Sequence, residues 1–252
     1  MPRFSSGKPR RVTGQHARFG RVLPLTNVDG LARCLRRVRG VGSIKIAGLQ
    51  NIARLTEPYQ AFGGSVGMDT RIVARWQDWS GKGIEHTVIR CTEASITAEG
   101  VVLGAVNNQP FAARYQVRCD GSWTLNYASI EIVGEQRKVE LISDGRGKWT
   151  DTSGNALPDL DGATDVDISA TPFTNTLPIR RLRLARGHSA EIRAAYVHIP
   201  DLAVVRDPQR YTCLEPLRRY RYESLDSDFV REIEVDADGL VVTYPGLFKR
   251  LA

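Results

Sequence analysis

The sequence predicts a mainly β protein, a curved antiparallel sheet forming an incomplete barrel, preceded by an extension of different character. Three observations carry this. From residue 68 onward, short runs of strand formers recur at close spacing. Asp-Gly pairs at 120–121, 144–145 and 238–239 fall between such runs, where tight turns are needed. Long helical periodicity is missing throughout, which argues for a barrel or a strongly curved sheet.

Residues 1–67 read as a basic, disordered extension, and 68–252 as a single β domain. The first segment holds 12 of the 35 Lys and Arg residues, against only Asp29 and Glu57. The net charge of +7 therefore belongs to the extension, and the body is slightly acidic. This basicity permits weak, salt-sensitive contact with nucleic acid and points to no specific nucleic-acid partner for the body. The extension is Arg-rich like a transit peptide, yet the composition changes at Met68, the only methionine after Met1. The reading preferred here is that the product starts at Met68 and the extension comes from an upstream start; peptides from 1–67 in the natural protein would overturn this.

The strands follow in order. IEHTVIRCTE (84–93) is rich in strand formers. ASITAEGVVLGAV (94–106) is expected to break at a tight turn at Glu99-Gly100. FAARYQVRCD (111–120) alternates, and Asp120-Gly121 turns it into SWTLNYASIEIV (122–133). VELISD (139–144) and GKWTD (147–151) flank the second Asp-Gly. AEIRAAYVHI (190–199) and LAVVRD (202–207) are separated by Pro200-Asp201. RRYRYES (218–224), VREIEVD (230–236) and LVVTYP (240–245) complete the set. A helix of one or two turns is expected within 171–182. The Trp residues of the body suit either core plugs or the mouth of an apolar pocket, with Trp123 and Trp149 directly after turns.

The densest chemistry lies in DVDISATPFTNTLPIRRLRL (165–184). If Val166 and Ile168 face the core, Asp165 and Asp167 both face away, either solvated, hydrogen-bonded or available as an acid/base pair. No third ligand follows at a fixed spacing, so no metal is expected. Pro172 and Pro178 take the segment out of the sheet. Thr174, Asn175 and Thr176 can then offer hydroxyls and an amide to a polyol. Phe173 serves as a core anchor or a flat face for a sugar or acyl chain. Of the pair Arg180 and Arg181, an inward arginine needs a counter-charge, and Asp165 or Asp167 can supply it. Cys34, Cys91, Cys119 and Cys213 have neither C-x-x-C nor metal-ligand spacing. Free thiols in a reducing compartment fit them, and a disulfide among the last three stays open.

The run DG.GKW.D..G…LPDLDG..DVDI..TPFTNTLPIRRL, together with PFAARYQVRCD-x-x-W and Q-R-Y at 209–211, resembles the signature of the family named Putative glycolipid-binding. The resemblance covers about 70–252. It implies a long antiparallel sheet curled into an incomplete barrel, similar to periplasmic lipoprotein carriers that hold acyl chains in their concavity. It also implies a cytoplasmic, bacterial, non-enzymatic binder of a glycolipid or acyl conjugate, without a cofactor, as monomer or homodimer.

On that reading the concave face takes the apolar chain, lined by Trp123 and Trp149. The polar head meets Thr174, Asn175, Thr176, Arg180 and Arg181, and Asp165, Asp167 and Phe173 are counted with them as ligand-binding residues. Arg181→Ala is then expected to weaken head binding more than stability. The alternatives are a hydrolase or other enzyme on a similar substrate using Asp165 and Asp167, or an interaction scaffold with no small ligand. No nucleophile–base motif surrounds His86, His188 or His198.

Overall fold

The computed structural model describes residues 69–252. The expected disordered extension and the start at Met68 lie outside the described residues. Fourteen strands form one sheet. The first half is a meander: β1 (Thr70–Asp78), β2 (Ile84–Cys91), β3 (Ser95–Val106), β4 (Gln109–Asp120), β5 (Leu125–Ile132), β6 (Arg137–Ser143) and the short β7 (Trp149–Thr150). The second half contains β8 (Asp165–Ile168), β9 (Ser189–Val197), β10 (Val204–Glu215), β11 (Arg219–Ser224), β12 (Val230–Val235), β13 (Val241–Tyr244) and β14 (Phe248–Arg250). The halves join where β1 pairs with β14, Trp76 opposite Arg250, so that β7 and β8 are the two edges. Every neighbouring pair is antiparallel except β8 with β9.

The expected turns at 120–121, 144–145 and 238–239 are present, and a shared device stabilises them. Asp120, Asp144 and Asp236 each accept, through Oδ1, the backbone N–H groups two and four residues on. The turn expected at Glu99-Gly100 is absent. β3 runs unbroken through it, and the chain turns instead at Asn107 and Asn108, both with positive φ. Gly100 is required for a different reason: a Cβ there would lie 2.3 Å from the Tyr115 ring across the sheet.

The sheet is not closed into a barrel. Among the described residues no ladder joins β7 to β8; instead Gly162 N–H donates to Gly147 O at 2.8 Å, and Trp149 Nε1 donates to Ala163 O at 2.8 Å. The hollow this creates is filled by the chain itself. After β8 comes a turn of 3₁₀ helix (Phe173–Asn175) and then α1 (Thr176–Leu182), the short helix expected from the sequence. Phe173 and Leu177 join a core with Trp76, Ile89, Tyr115, Ile130 and Leu141 on the first half of the sheet. Ile179 joins a second core with Tyr211, Tyr220, Tyr222, Ile233 and Val241. α1 is thus a wedge whose successive faces bury against the two halves.

Candidate functional site

The sequence-predicted residues do not form one site, and most spend their polar atoms on the protein. Asp165 and Asp167 were expected to face outward. Asp165 is 1% exposed, because the face of β8 opposite Val166 and Ile168 is roofed by 173–182 and flanked by β10. It forms a bidentate pair with Arg181, Nε to Oδ1 at 3.1 Å and Nη2 to Oδ2 at 2.5 Å. Asp167 Oδ1 accepts from Thr174 Oγ1 at 2.8 Å and Oδ2 from Gln209 Nε2 at 2.8 Å. Asn175 accepts from Tyr211 Oη at 3.0 Å, and Thr176 Oγ1 is buried without a partner. Phe173 is fully buried and stacks on Tyr115. Trp149 is a core plug, and Trp123 lies under the Arg180 guanidinium beside Thr70 and Cys91.

Register then decides which end of the sheet each residue occupies. Thr70, Cys91 and Trp123 mark one end. At the other, Asp78 pairs with Phe248, Gln77 with Ile84 and Ile84 with Leu103. Two adjoining pockets open at this second end. The first, about 280 Å³, is mainly apolar, with Trp76, Trp79, Val102, Leu103 and Phe111 in its wall. Its apolar residues include Trp79, 49% exposed, together with exposed Ile84, Leu103, Val106 and Leu247. The second, about 320 Å³, is built from Asp167, Asn175, Tyr196, Asp207, Tyr222 and Tyr244. Ser169, Leu247 and Phe248 line both. Of the predicted ligand-binding residues, only Asp167 and Asn175 reach one of these two pockets. Arg180 belongs to the opposite end.

Two features of these pockets set their electrostatics. Gln209 Nε2 donates to both Asp167 and Asp207, at 2.8 Å each, holding two carboxylates side by side. Burial pushes Asp167 up to about 6, against the hydrogen bonds from Thr174 and Gln209, and the neighbouring Asp207 adds to the rise. Asp207 is raised as well, again by burial first.

In the first pocket Glu85 is 2% exposed. Its Oε1 lies within hydrogen-bond reach of Thr87 Oγ1 at 2.7 Å, Tyr115 Oη at 2.6 Å and Thr171 Oγ1 at 2.7 Å, all able to donate to it. Oε2 is buried with no partner. Burial lifts this carboxyl from 4.5 to about 7, with the three hydroxyls opposing the rise.

A carboxyl raised on folding holds its proton in the native state while the unfolded chain has already released it. Glu85 therefore favours the native state below about pH 4.5, and that contribution is lost as pH rises through about 7. Glu85→Gln removes this dependence. Between pH 5 and 8 the unfolding free energy of the natural chain should fall relative to the variant by on the order of 3 kcal/mol, read by urea denaturation. Parallel pH profiles for the two proteins would contradict it.

Sequence reasoning missed Glu85, Asp207, Tyr222 and Tyr244. A signal for Glu85 existed: in IEHTVIRC, period 2 places Glu85 and Thr87 on the same face as Ile89, which is core. No local signal marks Asp207, which meets Asp167 only through the β8–β9–β10 arrangement.

Fold and pockets define a class: an open single-sheet β protein, its hollow filled by its own chain, with an apolar and an acidic aromatic pocket side by side at one end. Within that class the chain belongs to the family described as Putative glycolipid-binding, whose model matches residues 73–250. It is also similar to a solved structure of a DUF1089 family protein from Pseudomonas aeruginosa. The two are 42% identical, with a TM-score of 0.60, over 66% of this chain and 92% of the other. No curated protein matches the chain. Among the described residues no helix is long and apolar enough to cross a membrane.

Proposed function

We propose that this chain binds an amphipathic, non-anionic ligand of the glycolipid or acyl-conjugate kind, without transforming it. The apolar part lies against Trp76, Trp79, Val102, Leu103 and Phe111, and a hydroxylated head lies against Asp167, Asp207, Tyr222 and Tyr244. The observation that carries the reading is that two neighbouring pockets share Ser169, Leu247 and Phe248 in their walls, one apolar and the other rich in acceptors and aromatic rings. Carboxylates accept from sugar hydroxyls, and tyrosine rings offer the flat faces on which a sugar packs. The exposed apolar residues at the first pocket mark a surface that gains by being covered.

Dodecyl maltoside, titrated below its micelle threshold and followed by calorimetry, should bind. Dodecyl phosphate should not. Ala105→Trp, which fills the apolar pocket from its exposed rim, should weaken the maltoside at least tenfold, and Asp207→Asn should weaken it through the head. Absence of binding by any alkyl glycoside, together with a ligand-free native mass spectrum of the purified protein, would overturn the reading.

A further inference from the structure

We propose that Glu85 is an anchor for a protonated amine, so that the preferred ligand carries an ammonium group on its apolar part. This rests on the amphiphile-binding reading and narrows its ligand class. Glu85 is a wall residue of the apolar pocket, and its two oxygens have different fates. Oε1 is saturated by hydroxyls from three places: Thr87 on β2, Tyr115 on β4 and Thr171 in the loop before Phe173. Oε2 has none, although a buried carboxylate oxygen without a donor is costly. Three hydroxyl donors on one oxygen polarise the group toward the carboxylate form and hold it at a fixed orientation.

The surroundings select the sign of what binds. The ionisable residues lining the two pockets are Asp78, Glu85, Asp167 and Asp207, together with the phenols of Tyr196, Tyr222 and Tyr244. Among the described residues neither pocket is lined by a Lys, Arg or His. Arg250 on β14 lies outside the lining but acts on Glu85, favouring its carboxylate form; its guanidinium sits over the Trp76 ring at 4.7 Å and pairs with Asp236 at 3.2 Å. An anionic head thus meets four carboxyl groups and no cation in the pocket lining. An ammonium gains the unpartnered Glu85 Oε2, a buried atom behind the pocket wall, and the rings of Trp79 and Phe111, which attract cations. Fatty acids and phosphorylated lipids are disfavoured on the same grounds.

The test compares 1-octylammonium, 1-octanol, octanoate and octyl glucoside by calorimetry on the full chain at pH 8. Octylammonium should bind at least tenfold more tightly than 1-octanol, and octanoate should be the weakest. Glu85→Gln should abolish the advantage of the amine over 1-octanol. In the natural chain the same advantage should shrink at pH 5, where Glu85 is protonated, so the result does not depend on the variant folding. Equal binding of amine and alcohol, or an advantage that survives Glu85→Gln or pH 5, overturns the anchor. If that happens while octyl glucoside still binds, the broader amphiphile reading stands. Failure of octyl glucoside alone, with a Glu85-dependent amine advantage intact, would sink the broader reading and keep the anchor.

Discussion

Phe173→Ala should lower the unfolding free energy by about 3–5 kcal/mol, with little change in the dependence on urea concentration. Phe173 is fully buried in the hollow of the sheet, where it stacks on Tyr115 with ring centroids 6.1 Å apart and planes 15° from parallel. Truncation leaves a cavity that the surrounding strands can only partly collapse into, because their positions are set by ladders on both sides. The loss reaches the site as well. Phe173 N–H donates to Thr171 Oγ1 at 3.0 Å, and Thr171 in turn donates to Glu85. Phe173→Leu keeps most of the volume and should cost about 1.5 kcal/mol or less. A loss below about 1 kcal/mol for the alanine variant would mean that the 3₁₀ segment does not plug the core.

Arg181→Ala should cost about 3–5 kcal/mol, because it strands the buried Asp165 carboxylate with only Thr164 Oγ1 to donate to it. The geometry favours a stability role for Arg181 over the head-binding role expected from the sequence. Arg181 lines neither of the two neighbouring pockets, and its fork is used on Asp165 and Thr164. Replacing both partners with leucine should cost less than the single substitution, since no unpaired charge remains. Dodecyl maltoside affinity of the folded variant should equal that of the natural chain. A stable Arg181→Ala protein with weakened maltoside binding would reverse the assignment and return Arg181 to the head site.

Much of the fold is written locally. Alternation and turn chemistry identify most of the strands, since a half-buried strand must alternate and a tight hairpin must use residues that tolerate its dihedrals. Asp120-Gly121, Asp144-Gly145 and Asp238-Gly239 all mark turns. Gly100 misleads because glycine serves both a turn and a close cross-strand approach, and only the Tyr115 ring on the facing strand separates the two. The D-x-D pair misleads for a related reason. Period 2 tells which residues share a face of β8 but not whether a helix roofs it. Glu85 was legible in its alternation, yet an inward carboxyl has no functional meaning until its neighbours are known.

The sequence by itself determined the β character of the body, its main turns, the short helix after Pro172 and the family to which the long central motif belongs. These depend on dihedral preferences and on side chains within a few residues of one another. The tertiary structure alone decided that the hollow is filled by Phe173 and Leu177, which arginine pairs with which aspartate, and that the apolar and acidic pockets lie at the end away from Trp123. Those facts depend on a sheet whose first and last strands meet, β1 on β14, bringing Glu85 and Phe248 to one pocket. Contacts between residues so far apart along the chain leave no trace in local pattern, because the chain between them sets the register that aligns them.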